Sequence, residues 1–322
     1  MNAAKITVIS ASMQMNPMRS IYKMEYLFGP VLSRRLGLSM GVDLLAHKTC
    51  NLDCIYCELG RTPCISQRRD RFVPPDKVLR EIKSKANDEF DHITFAGSGE
   101  PTLSIDLGDI IRKTKAIVDA PVAVITNSTL LSSQQVREEI KAADIVLPSL
   151  DAVTQEIFQA INRPSPGLRI ENIIEGLKAF RKAFKGEIWL EIMLVKDTNE
   201  HEARLISTVA ESIEPDRIQL NTVVRPPAEP VLPLEKDEML QVLEVFQEAE
   251  IIPDWDWKVP TEIEEDLFDL LSRKSCTFDE VKTQLELGKN DVIKYLSIME
   301  RDGLLSRHLQ KGILYFRASK KA

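Results

Sequence analysis

Short apolar runs recur through the first two thirds of the chain, at Gly41 to Leu45, His92 to Ala96, Val122 to Thr126, Ile145 to Ser149, Trp189 to Val195 and Arg217 to Val223. Runs of this length bounded by turn residues read as strands buried on both faces. Between them lie stretches with apolar residues at helical spacing: Lys77 to Ala86, Asp109 to Val118, Gln135 to Ala142, Ile170 to Phe184 and Glu202 to Ile213. Strand and helix in alternation predict parallel strands joined by crossover helices. The predicted fold class is α/β, a partial (β/α)6 TIM-like barrel, with a doubly wound sheet as the alternative. The barrel is preferred because polar residues recur just past the strand ends: Gly99 and Glu100, Asn127, Asp151, Asp197 and Asn199, and Arg225. In a barrel those ends share one face, and that face holds the site.

Beyond the barrel the pattern changes. Lys236 to Ala249 reads as a closing helix, and the proline-bounded stretch from Pro253 to Pro260 as a linker. Glu264 to Leu271, Thr277 to Leu285 and Asn290 to Arg301 then predict three helices. The turn Glu286-Leu287-Gly288-Lys289 has the length and glycine of a helix-turn-helix, and Leu304 to Arg307 with Ile313 to Arg317 can pair as a wing. These features resemble a small winged helix-turn-helix domain. The expected boundaries are an N-terminal extension over 1–25, the barrel over 26–250, a linker over 251–261 and the winged helix over 262–322. Met1 to Lys23 carry no clear period, and Met24 is a candidate start.

Composition narrows the class. The 322 residues are 43% apolar, enough for a sizeable core. No run approaches the ~18 apolar residues of a membrane span, and no secretory signal is recognisable, so a cytoplasmic protein without a membrane partner is expected. The net charge of -7 gives no global attraction to nucleic acid. Charge is nevertheless segregated: residues 289–322 contain eight Lys/Arg against three acids, and 251–288 contain four against ten. Positive charge therefore falls on the expected recognition helix, wing and tail, where a nucleic-acid backbone would lie; a protein partner is the alternative.

Three of the five cysteines sit together. Cys50, Cys54 and Cys57 follow the spacing C-x3-C-x2-C within His47-Lys48-Thr49-Cys50-Asn51-Leu52-Asp53-Cys54-Ile55-Tyr56-Cys57. An odd count with three clustered argues for a metal site over a disulfide framework. The spacing admits three readings: a Cys3His zinc knuckle with His47, a redox cluster with Cys64 as fourth ligand, or a 4Fe-4S cluster with one iron left open.

The loop, the aromatic Tyr56 just before the third cysteine, and Gly99-Glu100-Pro101 after the second strand resemble the radical S-adenosylmethionine (SAM) superfamily over roughly residues 26 to 225. The resemblance implies that three cysteines hold three irons of a 4Fe-4S cluster and that SAM chelates the fourth. It further implies that an electron from a donor such as flavodoxin or ferredoxin breaks a carbon-sulfur bond, giving methionine and a 5'-deoxyadenosyl radical that takes hydrogen from a substrate. By the same resemblance Glu100 and the Gly97-Ser98-Gly99 backbone meet the SAM amino group, Tyr56 borders the adenine, and Asn127, Ser149 and Asp151 contact its ribose and carboxylate. For the last three, capping and turn formation are the alternative roles.

Other residues carry weaker signals. Glu191 interrupts the apolar run Ile188-Trp189-Leu190-Glu191-Ile192-Met193-Leu194 and is the candidate catalytic residue, with a structural ion pair as the alternative. Asn221, Arg225 and Arg163 are candidate substrate contacts, and Ser33-Arg34-Arg35 a candidate anion site. Cys64 reads as incidental and Cys276 as core. Within the superfamily, Ser33-Arg34-Arg35-Leu36-Gly37, Gly97-Ser98-Gly99-Glu100-Pro101-Thr102, Pro148-Ser149-Leu150-Asp151-Ala152 and Ile161-Asn162-Arg163-Pro164 resemble a bacterial and archaeal group distantly similar to tRNA wyosine-base synthases. That resemblance implies RNA modification. Modification of a protein or small molecule is the second enzymatic option, and an iron-sulfur redox-sensing transcription regulator is the alternative of another class.

Overall fold

The computed structural model describes residues 25–46, 48–225, 227–252 and 261–285, together with 287, 292, 295–296, 299–300, 303–310 and 313–319. All six apolar runs enter one eight-stranded sheet. Its strands are β1 (Leu27–Ser33), β2 (Gly37–Val42), β5 (His92–Phe95), β6 (Val122–Thr126), β7 (Ile145–Pro148), β8 (Glu187–Leu194), β9 (Arg217–Thr222) and β10 (Ala249–Ile251), in that spatial order. A separate two-residue pair, β3 (Thr49–Cys50) and β4 (Cys64–Ile65), lies in the cysteine loop. Only β1 runs antiparallel; β2 through β10 are parallel.

The spatial order repeats the chain order without a reversal, which separates the two architectures. A doubly wound sheet reverses its order and carries helices on both faces. Here crossovers that all run in one direction put α1 (Pro75–Ser84), α2 (Leu107–Lys115), α3 (Gln134–Ile140), α4 (Gln155–Ile161), α5 (Ile170–Ala183) and α6 (Ala203–Ile213) on one face. Packing agrees with that: Val122, Val124, Val146, Ile188 and Leu190 join the main core with helical residues such as Ile110, Val136 and Phe180. The intervening strand residues Ala123, Ile145, Leu147 and Trp189 form a second core with Leu36 on the opposite face. The sheet is thus mostly parallel with a helix-free inner face, the arrangement of a partial barrel.

Three boundaries differ from expectation. The first parallel strand is Gly37–Val42, not Gly41 to Leu45, because it pairs with β1 as a hairpin; Asp43 then ends it by accepting from the Leu45 N–H. The closing helix is α7 (Lys236–Leu243), and Ala249–Ile251 adds a parallel edge strand, so 249–251 belong to the sheet and neither to a helix nor to a linker. The short helix α4 between the fourth and fifth runs was not foreseen. Residues 1–24 of the expected extension and 253–260 of the expected linker lie outside the described residues.

The hairpin turn Ser33 to Gly37 reaches across the inner face. Arg35 donates to Glu191 on β8, Asn221 on β9 donates to the other Glu191 oxygen at 2.8 Å, and Arg34 donates to Asn221 at 3.1 Å. Glu191 therefore sits in a buried ion pair, and the arginines tie the first parallel strand to the last ones across an open barrel. Burial opposes its charge, but Arg35 and Asn221 hold the carboxyl below its ordinary value. Arg35→Met should cost about 3–5 kcal/mol, since it strands a buried carboxylate. The folded pKa lies below the unfolded one, so that contribution is complete above the unfolded value and is lost as pH falls through the folded one. Urea unfolding of Arg35→Met and of Arg35→Met/Glu191→Met checks this: the double variant should recover most of the loss at neutral pH.

After the barrel come α8 (Thr261–Arg273), β11 (Cys276–Thr277), α9 (Phe278–Gln284), β12 (Leu305–Gln310) and β13 (Ile313–Ala318). The strands form a sheet ordered β11, β13, β12 over a core of Leu267, Leu271, Cys276, Val281 and Phe316, which confirms Cys276 as core. Most of Asn290 to Arg301 and of the turn before it lies outside the described residues.

Candidate functional site at the carboxyl ends of the strands

The cysteine loop leaves β2 and is laced on both sides by backbone hydrogen bonds. On one side Thr49 N–H donates to Ser98 O at 3.0 Å and Glu100 N–H to Thr49 O at 3.0 Å. On the other, Asp53 N–H donates to Asn162 O, Ile55 N–H to Ile161 O and Ser165 N–H to Asn51 O, all within 3.0 Å. The loops after β5 and after α4 thus clamp a segment with almost no regular structure of its own.

Glycines permit the first contact. A Cβ on Gly99 would lie 1.6 Å from Thr49 O, and one on Gly97 would lie 2.5 Å from the Asp43 carboxyl carbon. Asp43 in turn accepts from Ser98 N–H at 2.9 Å and from Ser98 Oγ at 2.5 Å. The strand-end loop is therefore fixed from behind while its front faces the cysteines.

Glu100 is 2% exposed. Its Oε1 accepts from Thr102 N–H (3.0 Å), Thr102 Oγ (2.5 Å) and Thr126 Oγ (2.7 Å), and its Oε2 accepts from Asn127 N–H at 2.7 Å. Burial pushes this carboxyl up against those four donors. Oε2, with one donor, retains acceptor capacity for an ammonium group.

Tyr56 and Asp151 form a second buried group. Tyr56 Oη donates to Asp151 Oδ2 at 2.5 Å, Asn162 Nδ2 donates to the same oxygen at 2.7 Å, and Met193 N–H donates to Oδ1 at 3.0 Å. Burial pushes the Asp151 carboxyl up to about 6 despite these donors, and burial with Asp151 pushes the Tyr56 phenol well up. Tyr56, Asn127, Ser149, Asp151 and Asn162 share the lining of one small pocket. Asn162, whose amide joins Asp151 to the Cys54 sulfur, lies in the Ile161-Asn162-Arg163-Pro164 segment of the resemblance without a role assigned to it there, because an asparagine among loop residues does not show which distant groups it will meet.

The other candidates scatter. Arg163 pairs with Glu229 at 2.9 Å, and the exposed Arg225 pairs with Glu58. Arg61 bridges Asp53 (2.8 Å) and Glu229, whose own N–H donates to Ile55 O at 3.0 Å. Arg163 and Arg225, expected as substrate contacts or solvated side chains, therefore help fasten the segment after β9 over the cysteine loop.

The three cysteines are free thiols, half-buried at the carboxyl ends of the strands. Burial, then the Glu100 carboxylate, pushes the Cys50 thiol up to about 11; burial, then Asp151, pushes the Cys54 thiol up further. Such thiols become thiolates only with a cation against them. Among the described residues no three Cys, His, Asp or Glu side chains converge as the ligands of one metal ion would. A cluster spreads its thiolates over separate irons, which fits three cysteines on an irregular loop. His47 and the Cys64 side chain lie outside the description.

Residues 45–209 match the family model of the radical SAM superfamily. The chain belongs to that superfamily. It is 36% identical over 232 residues to a UPF0026 protein of Methanocaldococcus jannaschii, across 70% of this chain and 72% of that protein. It is 34% identical, across 98% of its length, to a protein named GTPase Obg from Brachyspira hyodysenteriae, and spans about half (48%) of that relative. The fold is shared with a radical SAM methyltransferase of Sphaerobacter thermophilus at TM-score 0.51 and 12% identity, over 66% of this chain and 65% of that one. The protein is a radical SAM enzyme, and the cofactors of its superfamily are a 4Fe-4S cluster and SAM. Membership sets aside the zinc knuckle and the redox-sensing regulator. Among the described residues no helix is long and apolar enough to cross a membrane.

Proposed function

We propose that Cys50, Cys54 and Cys57 each hold one iron of the cluster, that SAM lies between Glu100 and the Tyr56 side of the site, and that the enzyme abstracts hydrogen from an RNA substrate. The observation that carries the cofactor reading is the double lacing of the cysteine loop. It holds the loop that carries the three thiols against the loop of the buried Glu100, at the face where barrel strands end. Once bound and reduced by one electron from a flavodoxin- or ferredoxin-like donor, the cofactors supply methionine and a 5'-deoxyadenosyl radical. The chain's residues do the positioning. Glu100 Oε2 and the Gly97-Ser98-Gly99 backbone receive the SAM amino group, Tyr56 borders its adenine, and Asn127, Ser149 and Asp151 meet its ribose and carboxylate. Glu191, the candidate catalytic residue, is reassigned to positioning through Arg35 and Asn221.

Anaerobic reconstitution tests this. The wild-type protein should bind about four irons with matching sulfide and release 5'-deoxyadenosine from SAM under reduction. Four irons without SAM binding or cleavage would sink the reading.

The RNA reading rests on the C-terminal unit. Helix, strand, helix and a final β12–β13 hairpin follow the order of a winged helix, and Arg307 and Arg317 lie on its hairpin. Deletion of residues 262–322 should reduce salt-dependent retention on tRNA at least tenfold in a filter assay while leaving 5'-deoxyadenosine release intact. Unchanged retention would turn the choice to a protein or small-molecule substrate.

A further inference from the structure

Two side-chain carboxamides direct N–H groups at sulfurs of the cysteine loop. Asn162 Nδ2 lies 3.4 Å from Cys54 Sγ, and Asn127 Nδ2 lies 3.7 Å from Cys50 Sγ. The Leu52 backbone N–H adds a donor to Cys50 at 3.4 Å. Neither carboxamide is free to turn away. Asn162 Nδ2 is anchored at 2.7 Å on Asp151, which Tyr56 and Met193 hold in place. Asn127 Nδ2 donates to Asn51 Oδ1 at 2.8 Å, while Asn127 Oδ1 accepts from Thr129 N–H at 3.1 Å and Thr129 Oγ at 2.7 Å.

From this geometry we infer that Asn162 and Asn127 are positioning residues that raise the reduction potential of the cluster by donating hydrogen bonds to the Cys54 and Cys50 sulfurs. The inference rests on the cluster ligands proposed above. A hydrogen bond to sulfur strengthens as the sulfur gains negative charge, and one-electron reduction adds charge to the cluster and its thiolates. The bond therefore favours the reduced state. Burial, with Asn162 only 3% exposed, keeps water from substituting for the lost donor.

A role limited to tying loops together would look different. The lacing of the cysteine loop to the loop after α4 uses the backbone carbonyls of Ile161, Asn162 and Arg163, which a side-chain substitution leaves in place. The two carboxamides should also differ from each other. Asn162 is closer to its sulfur and is polarised by a carboxylate, whereas Asn127 is farther away and faces a neutral amide.

The test is a redox titration of the full-length, anaerobically reconstituted protein without SAM, following the electron paramagnetic resonance signal of the reduced cluster. Asn162→Leu, similar in shape but without a donor, should retain iron and sulfide. It should weaken reduction about tenfold, about 59 mV lower for one electron. Asn127→Leu should shift the same way by less. Thr129→Val, which loosens Asn127 and Asn51 without touching a sulfur, should shift least. An assembled Asn162→Leu cluster with unchanged potential overturns the inference, as does a Thr129→Val shift equal to that of Asn127→Leu. If Asn162→Leu does not hold a cluster, Asn162→Ala is read by the same criterion, and the Asn127→Leu potential decides if neither assembles. Wild-type protein that assembles no 4Fe-4S cluster overturns the ligand assignment and this inference with it.

Discussion

Cys54→Ala, purified and reconstituted without oxygen, should carry no stable 4Fe-4S cluster and release no 5'-deoxyadenosine above background. Cys54 is the central thiol of the loop, and its sulfur accepts from Asn162 at 3.4 Å. With two thiolates left, one further iron loses its protein ligand, and structural or catalytic metal centres rarely tolerate that. The polypeptide itself should survive. The bonds that shape the loop come from the backbone of Thr49, Asp53, Ile55 and Ser165, none of which uses the Cys54 side chain. Circular dichroism and the thermal midpoint should therefore stay near the metal-free wild type while iron content and cleavage vanish. Cys276→Ala is the matched control: Cys276 packs with Leu267, Val281 and Phe316 in the C-terminal core, so its loss should lower stability and leave iron unchanged. An iron content for Cys54→Ala equal to wild type would refute the ligand assignment.

What was readable beforehand follows from where the information lies. Parallel strands buried on both faces must be apolar throughout, so runs such as Val122 to Thr126 and Ile145 to Ser149 declare themselves locally. The edges do not. β1 contains Gly29-Pro30 and a half-exposed Phe28, and β10 is three residues alternating in exposure, so neither resembles a core strand although each completes the sheet. The anomaly of Glu191 in an apolar strand was visible, but its partner Arg35 is 156 residues away and meets it only once the hairpin crosses the barrel. Spacing exposed the cysteines and Gly99-Glu100-Pro101, because ligands on one loop and a glycine at a close approach are local requirements. Asn162 carries no such mark: its function exists only where four distant segments meet. The ion pairs of Arg163 and Arg225 were hidden for a related reason, since charge near a strand end does not reveal the acid that Glu229 or Glu58 supplies from another loop.

The second large effect concerns the joint between the two motifs. Gly99→Ala should both destabilise the protein and prevent SAM cleavage, although it removes no ligand and no charged group. The added Cβ would sit 1.6 Å from the Thr49 carbonyl oxygen and 2.5 Å from its carbonyl carbon. Those are backbone atoms, so no rotamer change can relieve the contact; the two loops must separate. Separation breaks the Thr49 N–H to Ser98 O and Glu100 N–H to Thr49 O bonds, each 3.0 Å, and with them the Thr49–Gly99 bridge directly before Cys50 and Glu100. Overpacking of ordinary cores costs about 1–3 kcal/mol, and a rigid backbone contact belongs at or above the top of that range. For a domain of this size such a loss lowers the midpoint of thermal unfolding by roughly 6–12 °C. The chemical consequence is larger than the thermal one, because Cys50 moves relative to the carboxylate that is to face SAM, and misplacement by about 1 Å can cost about a hundredfold in rate. Measuring iron content, SAM binding and 5'-deoxyadenosine release on the same preparation separates the two. Gly167→Ala provides the contrast, since nothing lies within 4 Å of a Cβ there and only its left-handed φ of +91° is strained. If Gly99→Ala binds and cleaves SAM like wild type, the close approach of Gly99 to Thr49 is not what registers the cysteine loop against Glu100.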